Sequence, residues 1–169
     1  MALFGRNRDV SLIRILNREL IGRIISQQCA YYKLSLEKTN TNIYGEAPEG
    51  KYFSGPFLLN SLINIGNQTQ PTSDIGVGFT WNVEFSFLLD DLRDAKIDPE
   101  IGDIIMYQEG YFEIDNVNIS QLFTGKDPDY PYESNPYNTQ LDKFGYNVSA
   151  VCSTHYVPAD RVNIQPSRF

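Results

Sequence analysis

The sequence predicts a mainly β protein, a small antiparallel barrel or sandwich with an N-terminal α-helix and one long Pro/Tyr-rich loop. Three stretches carry that expectation. From Val77 to Leu89, the residues Val77, Phe79, Trp81, Val83, Phe85, Phe87 and Leu89 fall on one face by strict alternation. Residues 103–115 read as a hairpin, and Tyr146 to Tyr156 alternates again. Period two over such lengths marks half-buried antiparallel strands, because successive side chains of a strand point to opposite faces. Eleven Tyr, ten Phe and one Trp fit the same class, since aromatic side chains suit a pleated, half-buried surface.

At 169 residues the chain suits a single domain over 1–169, able to bury roughly 68–70% of its unfolded surface. Its first element is a helix over residues 9–26, with Asp9 as the N-cap. Leu12, Leu16, Leu20, Ile13, Ile24, Val10, Ile21 and Ile25 share one sector of that helix, with Arg14, Asn17 and Arg23 embedded in it. The sector covers roughly 220°, whereas packing on one sheet needs an apolar stripe of about 100° or somewhat more. A helix of that kind touches two things, its own domain and a neighbouring subunit. Arg14, Asn17, Arg18, Ile21 and Ile25 are accordingly candidate interface residues.

Residues 28–75 are irregular in pattern: Tyr31-Tyr32, 40–42 and 45–48 read as extended chain with turns, followed by a strand over 57–65. The β-rich body spans residues 52–160. After the long strand, residues 90–98 read as a polar connection with at most one helical turn. The hairpin is expected to close through Gln108-Glu109-Gly110, a type I turn ending in a left-handed glycine. That register sets Met106 opposite Phe112 and Ile104 opposite Ile114, and puts all four on one apolar face. A short strand ends near Leu122-Phe123. In the last strand Val148, Ala150, Cys152, Thr154 and Tyr156 point one way.

Residues 124–145 form the long loop. It carries three prolines and the tyrosines Tyr130, Tyr132 and Tyr137, without periodicity. Loops beyond about 12–15 residues are usually functional or disordered. Two readings stand: an arm that binds a neighbouring subunit or partner through those tyrosines, or a solvated surface loop.

The formal net charge of −7 is split unevenly. Residues 1–38 hold seven basic and three acidic groups, a net +4, while residues 39–169 hold seven and eighteen, a net −11. Such polarity suggests two electrostatically different ends, although an Arg-rich helix surface alone would give the same count. Binding of nucleic acid by the whole chain is disfavoured, because phosphate contacts dominate such affinity. No apolar run approaches the ~20 residues of a membrane-spanning helix. Arginines interrupt any secretory hydrophobic region near the N-terminus.

Catalytic signals are weak. His155, the sole histidine, reads as a polar strand position, although triads assemble in space and not in sequence. Cys29 and Cys152 lack metal-ligand spacing and read as small buried residues in a reducing compartment. Asp127, Asp129 and Glu133 lack the order of an EF-hand, and Asp90, Asp91, Asp94 and Asp98 read as a solvated turn. The expectation is a structural protein with no catalytic residue, metal or cofactor.

Three segments carry a resemblance. Asn42-Ile43-Tyr44-Gly45-Glu46, Pro99-Glu100-Ile101-Gly102-Asp103-Ile104-Ile105-Met106-Tyr107 and Tyr111-Phe112-Glu113-Ile114-Asp115-Asn116-Val117 resemble, in order and spacing, the neck (head–tail connector) proteins of contractile-tailed bacteriophages. The resemblance extends over residues 10–160. It implies a virion protein of the neck, assembled in the host cytoplasm. As a homo-oligomeric ring, commonly sixfold, it would complete the DNA-filled head and join it to the tail. It implies contacts with a portal-attached adaptor and with the tail terminator or tail proteins, and leaves DNA in the channel open as a further contact. Gly102 and Gly110 are then structural turn positions, and Trp81 and Phe85 core positions. A tail-terminator or baseplate barrel is the alternative within that class. Outside it stands a carbohydrate-binding or hydrolysing β module using Trp81, Tyr107 or Tyr111.

Overall fold

The computed structural model describes residues 7–37, 39, 51–69, 72–73, 76–77, 80–119, 148–159, 162 and 164. A helix, α1 (Asn7–Glu19), continues into a π-helical segment (Leu20–Ile25). Strands β1 (Gln28–Leu34), β2 (Phe53–Asn60), β3 (Leu62–Thr69), β4 (Thr72–Ser73), β5 (Gly76–Val77) and β6 (Thr80–Leu88) follow. A second helix, α2 (Leu89–Ala95), precedes β7 (Ile104–Tyr107), β8 (Gly110–Asn118) and β9 (Ser149–Val157). Seven strands form one antiparallel sheet in the order β2-β1-β7-β8-β9-β6-β3, and β4 and β5 form a small ribbon. The mainly β class with an N-terminal helix is as the sequence predicts.

The sheet curls on itself. Its two end strands, β2 and β3, are consecutive stretches of chain separated only by Ser61. The first half of this run pairs with β1 and the second with β6. No ladder joins β2 to β3, so the sheet is not closed by hydrogen bonds, and its two end strands are linked by covalent chain alone. Ser61 is fully buried and donates its N–H to the Gln27 carbonyl at 2.9 Å. Ring contacts across the interior show the same curl: Tyr31 of β1 meets Phe87 of β6 edge-on, and Phe85 of β6 meets Tyr107 of β7 and Phe112 of β8.

The alternation in β6 and β9 is realised. Val83, Phe85 and Phe87 are buried in the main core, as are Ala150 and Cys152. Trp81, half-buried, packs edge-on against Phe112 and stacks on Tyr156. The strand ends one residue earlier than its pattern, because Leu89 opens α2. That helix corrects the expected polar connection. Asp90 and Asp91 occupy its first turn, where negative charge suits the helix dipole, and Leu89 and Leu92 point into the core. Lys96, left-handed at φ 56°, ends it.

Two further expectations are corrected. Residues 28–34, extended at Tyr31-Tyr32 as expected, form a strand paired on both sides, and the single strand expected over 57–65 is divided at Ser61 between β2 and β3. Cys29 and Tyr31 face the main core, while Ala30 and Tyr32 belong to a second cluster with Ile104, Tyr111, Val157 and Val162. A strand buried on both faces has no polar alternation to reveal it. The hairpin closes through two residues, not three. Gln108 and Glu109 both have positive φ, 47° and 66°, which is a type I′ turn. The pairs are therefore Tyr107–Gly110, Met106–Tyr111, Ile105–Phe112 and Ile104–Glu113. Slipping one strand by one residue reverses its faces. Ile105, Tyr107, Phe112 and Ile114 line the core, whereas Ile104 and Met106 lie with the second cluster. Gly110 is no left-handed closing residue. Its small size matters instead, since a Cβ there would sit 3.1 Å from the Phe112 ring. Asp9 lies inside the helix, which starts by Asn7 and so is not capped at Asp9. The strand expected at 122–123 and the 124–145 loop lie outside the described residues.

The Gly-Asp pair at 102–103 anchors the hairpin entry. Gly102 adopts φ +92°, a conformation that side chains disfavour. The next residue, Asp103, is 0% exposed. Its carboxylate accepts hydrogen bonds from the Tyr31 hydroxyl, from Lys33 Nζ at 3.2 Å, and from the backbone N–H of Leu34 at 2.8 Å and of Glu100 at 3.0 Å. Backbone pairing of β1 with β7 stops at Tyr32–Ile104, and this side chain takes the next N–H in its place.

Two predictions follow from these buried groups. Replacing Asp103 with Ala strands the buried Tyr31 hydroxyl, two part-buried backbone N–H groups and a lysine, and should cost about 3–5 kcal/mol. Tyr31→Phe should cost about 1–3 kcal/mol. Urea melts of the two variants would refute this account if Asp103→Ala were the milder. Burial also pushes the Cys29 thiol up to about 11 and the Cys152 thiol up to about 12. The folded state thus keeps protons that unfolded thiols release, so this stability is intact below about pH 8.5 and falls as pH rises toward 11–12. The Tyr31 phenol, raised by burial and then by Asp103, acts in the same direction. The urea midpoint should be flat from pH 7 to about 8.5 and drop above about 9, with a shallower drop in Cys152→Ala.

Candidate functional site

The helix supplies the candidate site, and its orientation is the reverse of an ordinary amphipathic helix. Arg14, Arg18 and Gly22 recur every four residues along the side that meets the body. Arg14 lies 3.9 Å from Asp90, and Arg18 pairs with Asp91 at 3.1 Å and with Asp94, all three acids being on α2. A Cβ on Gly22 would lie 3.9 Å from the side-chain amide of Asn60 on β2. Ile13, Asn17 and Ile21 are half-buried. No described side chain of α1 or of the π-helical segment is buried.

The apolar stripe faces water. Leu12, Leu16, Leu20 and Ile24, again spaced by four, are 57%, 54%, 43% and 73% exposed. In an α-helix residues four apart drift by about 40° around the axis. The i→i+5 winding of the π-helical segment widens the turn and counters that drift between Leu20 and Ile24. Ser26, left-handed at φ 47°, ends the segment with its N–H on the Ile21 carbonyl at 3.0 Å.

Attachment of the helix to the body is mainly ionic. Asp94 and then Asp91 hold the Arg18 guanidinium above its ordinary pKa. Burial raises the Asp91 carboxyl, and the opposing pull of Arg18 does not offset it. Ion pairs this exposed contribute up to about 1 kcal/mol each. A groove runs between the two parts, lined by Ile15 and Gly22 of the helix, Leu58 and Asn60 of β2, and Asp94 and Ala95 of α2.

Of the residues selected from sequence, Arg14 and Arg18 bind α2 of their own chain, Asn17 and Ile21 are half-buried, and Ile25 is exposed. Tyr130, Tyr132 and Tyr137 lie outside the described residues. Leu12, Leu16, Leu20 and Ile24 belong to the apolar sector read from sequence, but which side of that sector faces solvent depends on where the acids of α2 lie. Gly102, Gly110, Trp81 and Phe85 take the structural places described above.

Other chemistry finds little foothold among the described residues. His155 Nδ1 lies 2.8 Å from Asp115 on an open face of β8 and β9. The raised thiols of Cys29 and Cys152 are the opposite of what an attacking thiolate needs. No group of three or more His, Cys, Asp and Glu residues is placed to hold a metal. No described helix is long and apolar enough to cross a membrane. Tyr107 and Tyr111 are buried, and half-buried Trp81 packs against Phe112 and Tyr156. The Asp127, Asp129 and Glu133 set lies outside the described residues. No protein-family model matches the sequence, and no curated protein matches it.

Because Arg18 makes two partly exposed ion pairs, Arg18→Ala should lower stability by no more than about 2 kcal/mol. The melting temperature of the body should move by no more than about 4–8 °C. A loss several times larger would show that the helix is part of the core.

Proposed function

We propose that the chain is a structural subunit of the neck of a contractile-tailed bacteriophage. Copies assemble into a ring, sixfold in the simplest form, that completes the DNA-filled head and joins it to the tail. The observation that carries this reading is the outward apolar stripe on a helix whose body-facing side is basic. A protein that works alone gains nothing by keeping four aliphatic side chains in water, whereas an assembling subunit buries them on a neighbour. Hydrophobic transfer of each is worth about 1.5–3 kcal/mol when burial is complete.

Two of the three segments behind the resemblance support the same reading, while residues 42–46 lie outside the described residues. Gly102 and Asp103 fix the entry to the β7–β8 hairpin, and Tyr111 to Ile114 pack on both its faces. They build a stiff body and take no part in a reaction. A stiff body with a lightly attached helix is what a ring subunit needs, since its own fold must survive while an outer element adapts to neighbours. In this reading a portal-attached adaptor meets one side of the ring and the tail terminator or tail proteins the other. Assembly takes place in the host cytoplasm.

Negative-stain microscopy of the purified chain should show ring-shaped particles, and light scattering a mass several-fold above 19.3 kDa. A monodisperse monomer at micromolar concentration would overturn the proposal.

A further inference from the structure

The exposed apolar surface is concentrated in two places. Thirteen large apolar side chains are exposed among the described residues, and eleven of them lie on residues 12–25 and 52–65. The first group is the helix stripe with Ile15 and Ile25. The second is Tyr52, Phe57, Leu58, Leu62 and Ile65, on and beside the run of chain that supplies both end strands of the sheet. Leu36 and Ile101 are the two exceptions.

That strand run is unusual in a second respect. No charged residue occurs from residue 52 to residue 73. As end strands, β2 and β3 each present one backbone edge without a sheet partner among the described residues. Proteins ordinarily guard such edges with charges, bulges or covering chain, because a long apolar edge invites pairing with another molecule. Here Pro56 and the irregularity near Gly66 are the local guards, and the apolar side chains around them remain in solvent.

We propose that the occupant of this strand surface is the helix stripe of a second copy of the same chain, in a head-to-tail contact. Three observations favour that pairing. The six exposed helix side chains present on the order of 600 Å², most of the roughly 800 Å² per partner of a standard interface. At long range the segment that carries the helix, residues 1–38, is positive (+4) and the rest of the chain, outside the uncharged strand run, is negative (−11), which favours a contact between unlike ends of two copies. The strand run itself carries no charge, so an apolar stripe laid on it desolvates no ionised group, while Asp91 and Asp94 stay paired with Arg18 of their own chain. A contact between two different surfaces repeats from copy to copy and closes when the rotation allows. The inference rests on the ring reading and specifies the contact that would build it.

Cross-linking tests it in the full-length chain. Leu16→Cys and Leu58→Cys are both exposed positions, so both variants should melt like the parent, and the native cysteines are too buried to react. Mixing differently tagged copies of the two variants with a short bismaleimide should give a covalent product containing one of each. Leu20→Cys with Leu62→Cys should do the same. Leu16→Ala should raise the concentration for half-assembly roughly tenfold. A product formed only between two Leu16→Cys copies would mean two-fold helix pairing and would overturn the inference. Rings without either mixed product would overturn it too while leaving the neck reading in place. A monomer in every preparation, even one that binds another protein, would remove both.

Discussion

One buried carboxylate organises the body. Asp103 is shut off from water, where an unpaired charge would cost many kcal/mol, and it is retained because four donors converge on it. Those donors come from β1 and from the turn leading into β7, segments about seventy residues apart in the chain. Its hydrogen bonds continue the β1–β7 ladder past the point where backbone pairing ends. The glycine before it supplies the left-handed turn that brings the carboxylate inward. The pairing of Tyr31 with Ile105, and through it the placement of Phe112, depends on this junction.

From that junction the core is assembled by rings. Tyr31, Phe85, Phe87, Tyr107 and Phe112 come from strands that are not all neighbours in the sheet, and they meet because the sheet is curled. Aromatic pairs in edge-on contact add about 0.5–1.5 kcal/mol beyond their burial. The helix shares little of this. It rests on α2 through arginines whose partners are partly in water, so its position is cheap to change while the body is expensive to disturb.

The sequence was legible where one rule decided the outcome. Alternation located β6 and β9 and assigned their faces, because each has one face turned to the core and the other outward. It failed at β1, where Ala30 and Tyr32 are buried as fully as Cys29 and Tyr31. It failed more subtly at the hairpin. Gln-Glu is a poor signature for a turn with two positive φ values, and the Gly after it invited a three-residue loop. One residue of misplacement then reversed the faces of Ile104 and Ile105. The apolar sector of the helix was visible, as was its excess width. Its outward orientation was not, since it is set by Asp90, Asp91 and Asp94 on a short helix that read as a polar turn. The mixture of acids outside and Leu89, Leu92 and Ile97 inside was present in that segment, and the three-residue spacing of Leu89 and Leu92 was the signal available.

The shared strand around Ser61 has a consequence for how the chain reaches this state. β2 pairs with β1 and β3 with β6 in ladders that close within about thirty residues of chain, whereas β1–β7 and β6–β9 join segments some seventy residues apart. Loop-closure entropy weighs most on those long-range ladders. Until they form, the two halves on either side of Ser61 are joined by little more than the chain itself. The uncharged run from residue 52 to residue 73 then lacks the charges that discourage pairing with a neighbouring chain, and self-association competes with completion of the sheet.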